Sequence, residues 1–264
     1  MLIRPSLMSH ILLITAIAIM GMLPGGCATT ATQAKDVLTD DLLQLPGAMW
    51  EDSKQMVARP ENIAILLVGG GASGYVRCAH DDEFDDHFKG HNYNTFGSDF
   101  TIGVGAAGNP VTHFALAGSS YMYGLLADDE HTRAVSGSLM EALALNGLLT
   151  LGLKGIAQDH CPNGESLAWP SGHTSSTVTL ATVMNEYYGP WVGVPLYALS
   201  GFVMYERMET REHWASDLVF GAALGYVVGK TVAQQYKPQL FGMDVVPYIN
   251  PENGSAGLAL AKRF

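Results

Sequence analysis

Apolar residues return at three- and four-residue intervals through most of the chain beyond residue 36, the period of helices with one buried face. The pattern predicts an amphipathic helix over residues 37–58 and a second over 63–77, weakened by Gly69, Gly70 and Gly71. Asn109 followed by Pro110 is a start signal, an N-cap with proline in the first turn, for a helix running to about residue 126. Further helices are expected over 132–158, 173–188, 191–208 and 213–236. The expected fold class is therefore all-α: a six-helix bundle from residue 63 onward, with 37–58 as an extra N-terminal helix. At the C-terminus the pattern turns strand-like over 244–250 and 257–264, separated by Pro251, Glu252, Asn253 and Gly254. That reads as a β-hairpin extension, residues 238–264, packed on the helical domain of 37–237.

The first residues follow a different rule. Arg4 precedes an apolar run at 11–23 that ends in Leu23-Pro24-Gly25-Gly26-Cys27. This is the layout of a signal peptide, residues 1–26. Its end resembles a bacterial lipobox, in which Cys27 is lipidated and becomes the new N-terminus; an ordinary secretory signal cleaved after Ala34 is the alternative. Ala28 after the cysteine implies, by the same resemblance to lipoproteins, outer-membrane sorting with the protein facing the periplasm. Residues 27–36 are then a tether. Most other apolar runs fall short of the ~20 residues that span a bilayer. The expectation is a lipid-anchored soluble bundle, with a six-span membrane protein as the alternative.

Composition narrows the field. The 264 residues are enough for one large domain with an ample core. Hydrophobic residues make up 48% and charged ones 15%, so the helices pack through apolar faces. A formal net charge of -11 argues against nucleic acid and against anionic surfaces as charge-driven partners. Residues 80–108 read as a long loop rich in acid and histidine. Asp81, Asp82, Glu83, Asp85, Asp86, His87 and His91 in it suggest either a cation site or, better, a solvated rim around an active site.

Three segments carry the chemistry: residues 154–162, 170–173 and 207–217. Phosphoryl transfer needs an in-line nucleophile, positive charge on the equatorial oxygens and a proton for the leaving oxygen. His213 and Asp217 are four apart, one face of a helix if both are helical. The aspartate can hold one ring nitrogen protonated and leave the other free to attack. Ser171, Gly172 and His173 sit where a proline-containing loop enters a helix, and a helix start favours an anion. His173 would stand there as the acid. Lys154 and Arg207 supply charge, Arg207 in bidentate form. No metal and no cofactor is called for.

Taken together these segments resemble the type 2 phosphatidic acid phosphatase superfamily, which also holds bacterial acid phosphatases and vanadium haloperoxidases. Its pattern is Lys, six residues, Arg-Pro; then Pro-Ser-Gly-His; then Ser-Arg, five residues, His, three residues, Asp. This chain has Lys154 and six residues to Cys161-Pro162, then Pro170-Ser171-Gly172-His173, then Glu206-Arg207, His213 and Asp217. The resemblance implies His213 as the nucleophile forming a phosphohistidine, Asp217 as its orienter and His173 as the general acid. Lys154, Arg207, Ser171 and Gly172 would bind the phosphate of a small-molecule or lipid substrate.

Two positions depart from that pattern. Cys161 replaces an arginine, at a cost of about 3 kcal/mol in transition-state stabilisation if nothing compensates, and the neighbouring His160 is the candidate to stand in. Glu206 replaces a serine and brings negative charge to an anion site, unless it points away or pairs with Arg207. An oxidising envelope and the family fold also allow a disulfide between Cys78 and Cys161. Three functions stay open: an envelope phosphatase, a vanadate-dependent haloperoxidase, and a non-catalytic lipoprotein on the same scaffold.

Overall fold

The computed structural model describes residues 31–89 and 97–234, and the strand segments 239–240, 243–249 and 256–261. The expected signal peptide, the lipidation residue Cys27 and His91 lie outside the described residues. The helices are α1 (Ala31–Ala58), α2 (Pro60–Ala79), α3 (Asp81–Phe88), α4 (Ser98–Ala107), α5 (Pro110–Leu126), α6 (Glu130–Ala157), α7 (Gly172–Tyr188), α8 (Pro190–Glu209) and α9 (Ala215–Ala233). Asn109 caps α5 as predicted, its side chain accepting from Val111 N. The strands β1 (Gln239–Leu240), β2 (Met243–Ile249) and β3 (Ala256–Ala261) pair antiparallel in that order, with Asp244 opposite Ala261 and Ile249 opposite Ala256.

Three expectations change. Residues 31–36 of the expected tether are already helical. Residues 80–108 are not a long loop: α3 and α4 occupy most of the described part. Helices of 8 and 10 residues are too short to show a clear apolar period, but Asp81, Asp82 and Glu83 in the first turn of α3 suit the positive end of its dipole. Finally, α9 begins at Ala215 rather than at His213.

α7 runs through the middle, packed against α6, α8 and α9. Its buried stretch from Thr174 to Val183 consists of serine, threonine and alanine except for Val178, Leu180 and Val183. Thr177, Thr179 and Thr182 return their hydroxyls to carbonyls four residues earlier, so burial leaves these donors satisfied. The facing ridge of α9 is Gly221, Gly225 and Gly229. A Cβ at Gly221 would lie 2.9 Å from Ser171 O, and one at Gly229 the same distance from Thr179 O. The glycines therefore set how close the two backbones come. Gly69 does the same for α2, where a Cβ would meet that of Ala223 at 2.5 Å; the residue that lowers helix propensity is what allows the contact. Leu139, Leu143, Val183, Leu224, Val227 and Val228 fill the core beside this seam.

Large apolar side chains lie on the outside as well. Trp191, Ile156, Leu43, Val68 and Leu151 are exposed large apolar side chains. Among the described residues, α6 is the helix long and apolar enough to cross a membrane.

Candidate active site

The close α7–α9 seam brings the two helix N-termini together. Ser171 N donates to Asp217 O at 3.2 Å across it. Ser171 is the N-cap of α7, its hydroxyl accepting from Thr174 N at 3.4 Å, so Gly172 and His173 form the first turn. Asp217 sits three residues past Trp214, the N-cap of α9. Its Oδ2 accepts from Trp214 N at 3.0 Å and faces His213 Nδ1 at 3.2 Å. The His213–Asp217 pair therefore forms across a helix start, not along a helix face. One carboxylate both caps the helix, worth ~1 kcal/mol, and fixes the ring. Both residues are buried.

His173 lies in the same pocket of charge. Burial first, then the positive charges of Arg207, His213, His113 and Lys154, push its pKa down to about 3. At neutral pH it is uncharged. His113, buried between Ser176 Oγ (2.6 Å) and Ala107 O (2.7 Å), is also lowered by burial.

The cations are arranged differently. Lys154, in the last turn of α6, donates to Leu167 O and to Ala168 O (3.0 Å). It ties down the loop before α7, in which Leu167 has a left-handed φ of 67°. Burial lowers its pKa, with Cys161 and Asp217 opposing. Arg207, in the last turn of α8, is enclosed by acids. Nε and Nη2 donate to Glu206 Oε2 and Oε1 at 2.5 and 2.6 Å, and Nη1 donates to Glu212 Oε2. Of the two possibilities for Glu206, pairing with Arg207 is the one the structure adopts.

Cys161 is buried near Lys154 and Asp217. Burial, then Asp217, pushes its thiol up to about 11, so it stays neutral. The expected Cys78–Cys161 bridge is absent: both thiols are free, Cys161 buried and Cys78 exposed on α2. His160 is exposed, and its backbone carbonyl accepts from Trp214 Nε1 at 2.7 Å.

Sequence reasoning missed the brace behind His213. Asp81, buried, accepts from Ser216 N (3.0 Å) and Ser216 Oγ (2.5 Å). Asp85, also buried, takes Arg211 Nε and Nη2 at 2.6 and 3.0 Å, and Arg211 Nη2 also donates to Pro162 O at 3.0 Å. Burial alone would raise Asp85, but the bonds from Arg211 and Lys89 overcome it and hold its carboxyl below the usual range. α3 thus clamps the first-motif loop to the third. Asp81 and Asp85 are thus internal struts rather than rim, whereas Asp82, Glu83 and Asp86 are exposed; among the described residues these acids form no metal-binding cluster. The only signal in the sequence was their period: Asp81 and Asp85 are four apart, one helix face.

The fold is a helical bundle that places His173 and His213 at two paired helix starts. Residues 136–240, which hold all three motif segments, match the model of the PAP2 superfamily. Over 73 residues the chain is 38% identical to the lipid A 1-phosphatase of Porphyromonas gingivalis, covering 26% of this chain and 16% of that protein. The transmembrane PAP2-type phosphatidylglycerolphosphate phosphatase of Bacillus subtilis superposes with a TM-score of 0.54 at 13% identity, over 66% of this chain and 94% of its own. Aquifex aeolicus LpxE gives 0.48 at 19% identity, over 58% and 94%. The Bacillus structure establishes the likeness of fold.

Proposed function

We propose that this protein is a phosphatase of the cell envelope acting on lipid phosphates through a phosphohistidine on His213. The observation that carries the reading is the His213 Nδ1–Asp217 Oδ2 contact of 3.2 Å beside the first turn of α7. With Nδ1 held by Asp217, Nε2 keeps the lone pair. It attacks phosphorus as the bond to the ester oxygen breaks, and that oxygen leaves with the electron pair and a proton from His173. Water then attacks phosphorus, the P–N bond returns its electrons to His213, and His173 recovers a proton. His173 is uncharged at neutral pH; a bound phosphate anion raises its pKa and lets it carry the proton. Ser171, Gly172 and Lys154 border the place where the phosphate oxygens would lie. Exposed Leu148, Leu151, Ile156 and Leu167, at or near the Lys154 end of α6, give an acyl-bearing substrate apolar surface to lie on. A lipid-modified Cys27 would keep the protein at the envelope membrane, and the lipid phosphates acted on by the relatives fit that location.

The test is hydrolysis of phosphatidate and of a chromogenic phosphate by the full chain, with acid-quenched trapping of labelled phosphohistidine. Label on His213 supports the reading; turnover without label, or turnover abolished by chelation and restored by a divalent metal, overturns it. A second reading, a non-catalytic protein on this scaffold, is favoured by the enclosure of Arg207 and by Cys161. It predicts no hydrolysis of either substrate. Peroxide-dependent bromination by the vanadate-loaded protein is the outcome that would point to a haloperoxidase.

A further inference from the structure

Arg207 is the guanidinium of the site, yet every edge of it is taken by this chain's own carboxylates. The two acids are held differently. Glu206 has a side-chain exposure of 7%; it makes a bidentate pair, and α4 covers it so closely that a Cβ at Gly105 would lie 3.1 Å from its Oε1. Glu212 is 40% exposed and makes a single contact, to Nη1, from the loop between α8 and α9. Its backbone N donates to Arg207 O at 3.0 Å, so the loop stays put while the side chain is free to rotate outward.

We propose that Glu212 holds the end of Arg207 that a phosphate would take and that an entering phosphate displaces it, while Glu206 remains in place. A carboxylate and a phosphate offer a guanidinium the same pair of oxygen acceptors. Both cannot hold Nη1 at once, and two anions at that spacing repel. Glu206 keeps the Nε edge, so Arg207 presents only its Nη1 end to substrate. Around the site, Glu206, Glu212 and Asp217 outnumber Lys154 and Arg207, and moving Glu212 away restores the balance that a phosphate needs. Glu212 is thereby a specificity-determining residue: weak anions fail to displace it, and a phosphate that gains further binding energy from an attached apolar group succeeds. The proposal rests on the phosphatase reading for its substrate, but not for its binding test.

The experiment compares wild type with Glu212→Gln and Glu212→Ala, using orthovanadate as the phosphate probe, followed by vanadium NMR, and a chromogenic phosphate for kinetics. Loss of the competing charge should tighten vanadate binding about tenfold and lower KM by a similar factor, with kcat changed less than threefold. Because Arg207 keeps Glu206, both variants should melt within a few degrees of wild type. If wild type turns over and both variants leave vanadate affinity and KM within twofold, the displacement falls and the phosphatase reading stands. If no form turns over but vanadate binding still tightens in the variants, the displacement stands and the phosphatase reading falls.

Discussion

The two halves of the site answer different demands. In the histidine half, His173, His213 and Asp217 are brought together by helix starts, and Asp217 engages Nδ1 of His213, which leaves Nε2 for the proposed attack. In the cationic half, Lys154 holds backbone carbonyls and Arg207 holds two carboxylates. The first is preorganised for chemistry; the second is satisfied by the protein itself and has to rearrange to take an anion. The cause is burial. A guanidinium nearly out of water needs acceptors at all times, and with serine replaced by Glu206 the nearest acceptors are acids.

The largest effects should fall on the histidine half. His213→Ala should leave no turnover above the rate in buffer and no labelled intermediate. Asp217→Asn should lower kcat roughly 10⁴-fold, the scale seen when an orienting aspartate is lost, and weaken the start of α9 by ~1 kcal/mol. A fall under tenfold for either would mean that the nucleophile lies elsewhere and the contrast between halves is misdrawn.

His173→Ala should cost roughly 10²–10⁴-fold on alkyl phosphates and far less on nitrophenyl phosphate, whose leaving group needs no proton. An equal loss on both would show that His173 binds rather than donates. Its depressed pKa also has a stability consequence. The unfolded ring binds a proton that the folded one refuses, so stability falls as pH drops from about 6.5 toward about 3.

The brace of α3 links the halves. Asp85→Ala frees Arg211 from the carboxylate that fixes it and should destabilise the protein by about 1–2 kcal/mol, less than for a fully buried pair because Arg211 is partly exposed. Asp85→Glu should recover part of the loss. The readout that separates bracing from folding is the label yield on His213 in the folded fraction, which should drop for Asp85→Ala and return with the glutamate.

The smallest effect lies far from the site. Asp52, buried on α1, and Glu141, half-buried on α6, form an acid pair. Burial, then Asp52, pushes Glu141 up to about 7 from an ordinary 4.5. The folded state therefore binds the extra proton, and stability falls as pH rises from about 4.5 through about 7. Glu141→Gln should flatten the difference in Tm between pH 5 and pH 8 without changing catalysis. An unchanged difference would place the titrating group elsewhere.

Periodic apolar faces and capping residues were enough, from sequence, to give the all-α class, the bounds of α5, α7 and α8 within a few residues, and the three motif segments. Those features are local: a helix start such as Asn109-Pro110 depends on its own few residues. The residue types of the histidine pair were equally legible, although the pairing arises at a helix start rather than along its face. The rest depended on distant partners. α3 and α4 were too short for periodicity to reveal, and their acids gain meaning only by meeting Arg211 and Ser216 more than a hundred residues away. Cys78 and Cys161 stay free, one exposed on α2 and the other buried, although compartment and cysteine count alone allowed a bridge. Whether Glu206 faced Arg207 or turned away was a matter of side-chain direction at the end of α8. Composition fixes which charges exist; only the packed backbone fixes which of them meet, because pairing depends on distance and burial, and neither is a property of the chain until it folds.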